Sequence, residues 1–429
     1  MLALKNILKS RQQGVGAGSA YVLVSFFISG VLTFGFQGLS SNVLGKTDFG
    51  RLMLLWSATF MTVQILWIAG TQTLGRYISE RESKGQDWSP VVRAVKRWQI
   101  GVLVAFVVGS LIASPLLTST VFHDEYWLTI IFIISVAAYA PEYFRRGIFN
   151  GHRQFSRLGG QILAESLGRV LIAAAFFVVG FGVIGPAIAI AVAPIIGVLA
   201  VRPAPVDPPE SLGEPFNAGS ASRFAAPVLM CMACAQAYAN GGPLLVNFFG
   251  GTLGQVGLFG AALILTRVPQ YVISPAIGSW LSHASRKLAT EGSRAFDRFV
   301  LRAAGLVGLV GLLMLGGTWV FGEWAIKLAG RDFNASRGLL MSLAALAAFY
   351  LICDLMNQVL FARGLGRLAV TAWVSSLPVA GLLMALLSVQ TLYRISISLV
   401  VGVVIVAVLQ TTFYLLATRK GRSTAGSHP

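Results

Sequence analysis

The chain has 429 residues, 55% of them hydrophobic and only 11% charged, with a mean hydropathy of +0.74. That composition excludes a soluble enzyme and describes a polytopic membrane protein, since each crossing of the hydrocarbon takes about 20 mostly apolar residues. The formal net charge of +17 would suit a nucleic-acid binder only if it gathered on one surface, so its placement along the chain decides its meaning.

The opening stretch, MLALKNILKSRQQG, carries Lys5, Lys9 and Arg11 and has no small-residue cleavage site, so it reads as a retained, amphipathic cytoplasmic start. Twelve apolar runs follow, at 18–40, 51–72, 98–119, 126–146, 157–179, 183–201, 224–248, 254–280, 299–321, 336–361, 366–388 and 395–417. With the amino terminus inside, the cytoplasmic segments hold twenty-five Lys and Arg residues and the outer ones six. This satisfies the positive-inside rule and places both termini in the cytoplasm. Topology and attraction to anionic inner-leaflet lipid then account for the basic charge, and no nucleic-acid partner is expected.

RPAPVDPPESLGEPFNAGSASR, 202–223, has the composition of a linker and separates six runs from six. The expected fold is all-α, with 12 transmembrane helices in two six-helix bundles, 1–201 and 224–429, joined by a cytoplasmic linker. Internal echoes support a repeat. GKTDFGRLMLLW before the second span parallels GTLGQVGLFGAALIL before the eighth. PEYFRRGIFNGHRQF parallels CDLMNQVLFARGLGRL at a shift of 212 residues, which sets Phe149 on Phe361 and Glu142 on Asp354. Because six is even, both halves run through the membrane in the same sense.

Catalytic and cofactor signatures are not found. There is no G-x-x-x-x-G-K-[ST] loop for ATP. His123, His152, His283 and His428 are scattered without metal-ligand spacing. The odd set Cys231, Cys234 and Cys353 lies in apolar runs, and CMAC reads as small-residue helix packing rather than redox chemistry. No loop has room for a glycosyltransferase or polymerase domain, so no enzyme, metal or cofactor is expected.

Charges inside the spans remain, each costing roughly 2.5–3.5 kcal/mol to insert unless paired or facing water. Glu165 and Arg169 stand at i, i+4 in GQILAESLGRVLIAAAFFVVG and share a helix face. They are either a structural ion pair or a cationic cavity wall in which Glu165 holds Arg169. Arg267, in LILTRVPQYV, has no acid within four residues; it faces a cavity or pairs with another helix, Glu165 being one candidate. Pro269 and Pro275 would bend its helix there. Gln236 and Asn240 add polar groups in the seventh span. Glu142, with Arg145 and Arg146 at i+3 and i+4, is a satisfied inner-end pair or, with Asp354, part of a cytoplasmic gate.

Together with the six-plus-six layout, LGKTDFGRL, GTQTLGRYISERESKG and RRGIFNGHRQF make the chain resemble the polysaccharide flippase branch of the multidrug/oligosaccharidyl-lipid/polysaccharide exporter superfamily. The resemblance implies a multi-pass protein of the bacterial cytoplasmic membrane that carries an undecaprenyl-pyrophosphate-linked oligosaccharide to the outer leaflet by alternating access. Substrate binding would fall to Arg169, Arg267, Glu165, Gln236 and Asn240, and gating to Glu142, Asp354, Arg145 and Arg146. The partners it implies are the lipid-linked anionic glycan, membrane lipid, and a polysaccharide polymerase with its glycosyltransferases. The drug-exporter branch is the alternative, but its acids in the first or seventh span have no counterpart in YVLVSFFISGVLTFGFQG or FAAPVLMCMACAQAYANGGPLLVNFF. A membrane glycan polymerase is a more distant one.

Overall fold

A computed structural model describes residues 2–209, 218–270, 273–274, 277 and 293–425. Linker residues 210–217, Pro275, His283 and His428 lie outside the described residues. The described secondary structure is entirely helical. Eight of the described helices are long and apolar enough to cross a membrane, and two shorter apolar helices, Ile184–Ala200 and Leu253–Thr266, accompany them. In hydrocarbon every backbone N–H and C=O must find a partner within the protein, and a helix supplies nearly all of them from its own chain.

The chain divides into two compact units. The first comprises Met1–Leu44 and Arg51–Leu229, and the second Gly45–Gly50 and Met230–Pro429. In the first unit α1 (Leu2–Ser83) holds both of the runs expected at 18–40 and 51–72. It is interrupted at Gly45, whose φ of +69° belongs to the region glycine enters without steric cost. Then come α2 (Ser89–Ile112), α3 (Ser114–Thr120), α4 (Tyr126–Gly151), α5 (Phe155–Val179) and α6 (Ile184–Ala200). The run expected at 98–119 starts earlier, at Ser89, because Pro90 sits in the first turn where a missing N–H costs nothing. It is divided at Ala113, since Pro115 can open α3 but cannot continue α2.

The second unit contains α7 (Ala218–Asn240, whose last turns belong here), α8 (Gly242–Phe248) and α9 (Leu253–Thr266). These are followed by α10 (Ser293–Ala325), a short 3-10 turn (Ile326–Ala329), α11 (Arg337–Ala362), α12 (Gly366–Leu386) and α13 (Thr391–Ala425). The run expected at 224–248 is broken at Gly241, with Pro243 in the first turn of α8. Thr252 and Gln255 form a reciprocal capping box at the start of α9.

Helix ends within each unit are tied by polar clamps. In the first, His152 Nδ1 meets Glu82 Oε1 at 2.5 Å and its ring stands edge-on to Trp88. In the second, Asp297 Oδ1 accepts from Arg363 (2.5 Å) and from the Tyr414 hydroxyl (2.6 Å), while Arg363 lies over the Phe296 and Tyr414 rings. The first residues of the linker are strapped to the α4–α5 turn. Gln154 Nε2 donates to the Ala204 carbonyl (3.2 Å), Ala204 N–H donates to Gln154 Oε1 (2.9 Å), and Arg157 donates to the Arg202 carbonyl. Gln154→Ala removes both of its bonds, at about 1 kcal/mol each. Limited proteolysis of the full-length protein is expected to cut several times faster around 202–209 in that variant.

Candidate functional site: a buried arginine–glutamate cluster

The cluster grows from the spacing of residues on two helices of the first unit. On α4, Tyr139, Glu142, Tyr143 and Arg146 recur at i, i+3, i+4 and i+7, which is one face. On α5, Gln161, Glu165 and Arg169 recur every four residues. Pro141 leaves α4 without one N–H in this region, and side chains of neighbouring helices reach its carbonyls. Trp67 Nε1 donates to Val136 (2.9 Å), Gln99 Nε2 to Ala140 (2.5 Å) and the Thr71 hydroxyl to Tyr143 (2.8 Å). Behind α5, Gly197 of α6 sits against Gln161 and Glu165; a Cβ there would lie 3.3 Å from the Glu165 Cβ. Little room is left for the Glu165 side chain to swing.

Glu165 is the centre. Its Oε1 accepts from the Tyr139 hydroxyl (2.7 Å) and from Arg169, and its Oε2 accepts from Arg146 Nη2 (2.6 Å). The same Arg146 nitrogen donates to Glu142 Oε1 at 2.6 Å. Arg169 also donates to the Tyr139 oxygen (2.9 Å) and lies over the Trp56 and Phe60 rings at 5.3 and 5.4 Å. Arg146 covers Tyr143 at 4.8 Å. Glu142, Arg169 and Glu165 expose 0%, 3% and 4% of their surface, so the ions are held by one another and by π faces rather than by water. Two guanidinium and two carboxyl groups form one chain of bonds, which can hold two charges of each sign within apolar surroundings.

Of the sequence candidates, Glu142, Arg146, Glu165 and Arg169 therefore stand in one cluster. Arg145 does not join it. It donates to the Val198 and Val201 carbonyls (2.9 Å to Val201), where a cation satisfies the carbonyls left over at the end of α6. Arg267 lies in the second unit, in which its Nε donates to Gln270 Oε1 (3.0 Å) and its Nη1 to the Ala239 carbonyl (2.5 Å). Asn240 donates to Gln236 (2.6 Å) on the adjoining turns of α7, so these three candidates are neighbours through Ala239 and Asn240. Asp354 is half-buried on α11. Tyr139, Trp56 and Phe60 were not among the sequence candidates. Tyr139 carries a readable signal, three residues before Glu142, whereas Trp56 and Phe60 become neighbours only through the fold.

The second unit has its own polar seam. The Trp373 Nε1–H donates to the Asn357 amide oxygen (3.0 Å), the Gln410 and Asn357 amides meet at 2.7 Å, and the hydroxyls of Tyr238 and Ser376 share a 2.9 Å bond. No charged side chain takes part in these bonds.

Comparison with known proteins shows the fold and the family. An uncharacterized protein of Mycobacterium tuberculosis is 28% identical over 295 residues, 66% of this chain and 67% of that protein. A second from the same organism is 27% identical over 311 residues, 71% of this chain and 69% of its own length. Among solved structures, an inward-facing multidrug resistance transporter of the MATE family, in the MOP superfamily, superposes with a TM-score of 0.75 at 15% identity. That alignment covers 95% of this chain and 99% of the transporter. An outward-facing MATE transporter of the same superfamily gives 0.67 at 16% identity, covering 95% and 96%. At such identity the likeness is one of fold, and the fold is that of a multi-pass membrane transporter. The family model for polysaccharide biosynthesis proteins matches residues 15–281, more than half of the sequence. The chain thus belongs to the polysaccharide biosynthesis protein family.

Proposed function

We propose that the protein moves an undecaprenyl-pyrophosphate-linked oligosaccharide from the inner to the outer leaflet of the bacterial cytoplasmic membrane, by alternating access, for cell-surface polysaccharide synthesis. The observation that carries this reading is the Arg146–Arg169 pair set in a membrane transporter fold, with an aromatic wall of Trp56, Phe60, Tyr139 and Tyr143 beside it. A pyrophosphate is the part of such a ligand that hydrocarbon rejects most strongly, and guanidinium groups replace its water with directed donors. Aromatic faces suit the apolar faces of sugar rings.

The full reading has 12 spans with both termini cytoplasmic. Arg267, Gln236 and Asn240 serve as further polar contacts for the glycan, Glu142, Asp354, Arg145 and Arg146 act at the inner mouth, and a polymerase and glycosyltransferases are partners. A cation-coupled drug antiporter is disfavoured because the first and seventh apolar runs contain no acid to hold a cation.

The test is deletion of the gene, followed by measurement of lipid-linked oligosaccharide in each leaflet and of surface polymer. Accumulation on the inner leaflet with loss of surface polymer is expected. Unchanged lipid-linked glycan together with new sensitivity to cationic dyes would move the protein to the drug-exporter branch.

A further inference from the structure

The two acids of the cluster are not equivalent. Glu165 has both oxygens occupied, by Tyr139 and Arg169 on one and Arg146 on the other. Glu142 is fully buried, yet only its Oε1 is bonded, and no donor meets its Oε2. Both acids bond the same nitrogen of Arg146 at 2.6 Å, so their carboxyl groups crowd one another around a single cation. Of the two arginines, Arg146 has the more accessible side chain, 17% exposed against 4% for Arg169. Arg146 is therefore the arginine that an incoming anion meets first, and beside it stands a carboxyl group with one oxygen unbonded.

We propose that Glu142 is a resident substitute for the ligand's anion. A phosphate group that reaches Arg146 takes over its guanidinium, and the displaced Glu142 accepts a proton from solvent water, so that anion binding is tied to proton uptake. The inference rests on the reading of the ligand as a lipid-linked pyrophosphate. A phosphate oxygen matches the guanidinium fork as well as a carboxylate does and carries more charge, which favours the exchange. A carboxylate that loses its only cation in apolar surroundings cannot stay ionised cheaply, and neutralisation is the usual response.

Among the described residues no other cation stands ready to rescue Glu142. Facing it are Tyr139, Tyr143 and Arg146 of its own helix, and Gln161, Glu165 and Arg169 of α5. From α1 the adjacent turns receive Trp67 and Thr71, and from α2 Gln99. α6, packed on both α4 and α5, contains no titratable residue. Arg169 is already committed to Glu165 and Tyr139. Glu165 keeps Arg169 when Arg146 is taken, and so has no comparable need of a proton.

The experiment is calorimetric titration of the full-length protein in lipid nanodiscs with farnesyl diphosphate and with inorganic pyrophosphate, each in two buffers of different ionisation enthalpy. At about pH 9, where the resting Glu142 is ionised, the wild type is expected to take up about one proton more per bound ligand than Glu142→Gln, a difference in which protons exchanged by the ligand cancel. Glu142→Gln, relieved of its internal competitor, is expected to bind about tenfold more tightly. Equal proton counts in the two proteins, or weaker binding by a folded Glu142→Gln, overturns the proposal.

Should that variant not fold, farnesyl sulfate, which does not titrate near neutral pH, serves with the wild type. Between about pH 8 and 10 its affinity is expected to fall up to about tenfold per unit rise in pH, and a flat profile over that range overturns the proposal. Tighter binding of farnesyl diphosphate than of inorganic pyrophosphate supports a lipid-linked phosphate as the occupant, and the reverse order overturns that assignment. No binding of any probe by the wild type overturns the inference alone, since the leaflet assay decides the transport reading independently.

Discussion

Arg169→Ala is expected to remove most of the protein from the membrane. The substitution leaves Glu165 with a single cation and strips the guanidinium from the Trp56 and Phe60 rings, all in a place that water does not reach. Breaking a buried ion pair from one side costs about 3–5 kcal/mol when the surviving charge has no other partner, and Glu165, which keeps Arg146 and Tyr139, sets the loss at the lower end of that range. That is a large share of the stability of any domain. Fluorescence-detected size-exclusion of a tagged protein reads the outcome as a severalfold loss of the monodisperse peak. The double variant Glu165→Gln with Arg169→Gln removes both charges together and is expected to regain much of that peak. If Arg169→Ala instead accumulates normally and only transport is lost, the fold does not need the guanidinium and its role is confined to the ligand.

Gly257→Val is expected to abolish folding of the second unit. A Cβ at Gly257 would run into the carbonyl oxygen of Lys46 and lie 3.0 Å from the Gly50 nitrogen. A Cβ at Gly50 would collide in turn with the carbonyl oxygen of Leu253. Backbone lies on both sides of this contact, so no rotamer change relieves the overlap, and overpacking of this kind costs 1–3 kcal/mol or more. Gly254→Ala is the control. Its added carbon would meet only the Lys46 Cβ and the Thr252 Oγ1, each at 3.9 Å, and alanine favours the helix by about 1 kcal/mol. Thermal aggregation of membrane extracts should leave Gly254→Ala at or above the wild-type midpoint and show no cooperative transition for Gly257→Val. A normal transition in Gly257→Val would mean that the two backbones separate at small cost.

These glycines also show what a sequence can and cannot disclose. Gly50 stands five residues after the first glycine of GKTDFGRLMLLW and Gly257 six after the first glycine of GTLGQVGLFGAALIL, and the echo is legible by inspection. That the two copies pack on each other is not, because nothing in a linear pattern says which repeat meets which. The helical membrane fold is legible for a stronger reason, since long apolar runs leave the backbone no other way to satisfy itself. The break at Gly45 is hidden, because the residues on either side favour a helix and only the dihedral angles at that glycine differ; Gly241 keeps helical dihedrals, and the break there falls where Pro243 opens α8.

The cluster divides in the same way. Spacing alone puts Glu165 beside Arg169 and Glu142 beside Arg146, four residues apart within one helix. The bond from Arg146 to Glu165, nineteen residues away, depends on the face that α4 turns to α5. The Pro141 region, with Trp67, Gln99 and Thr71 bonded to its carbonyls, fixes that face. Arg145, one position earlier, points elsewhere and ends on α6.

The assignment of Gly45–Gly50 to the second unit has a consequence for how the molecule can be divided. The polypeptide enters that unit early, leaves it after six residues, and returns at Met230, so the second unit is built from two separate stretches of the chain. A cut within 202–223 would not yield two self-sufficient pieces. The carboxy-terminal fragment would be missing the hexapeptide that lies along the start of α9, and would present bare backbone there. Coexpressed halves could complement each other through that hexapeptide, whereas halves made in separate cells and mixed later would each have to survive without it.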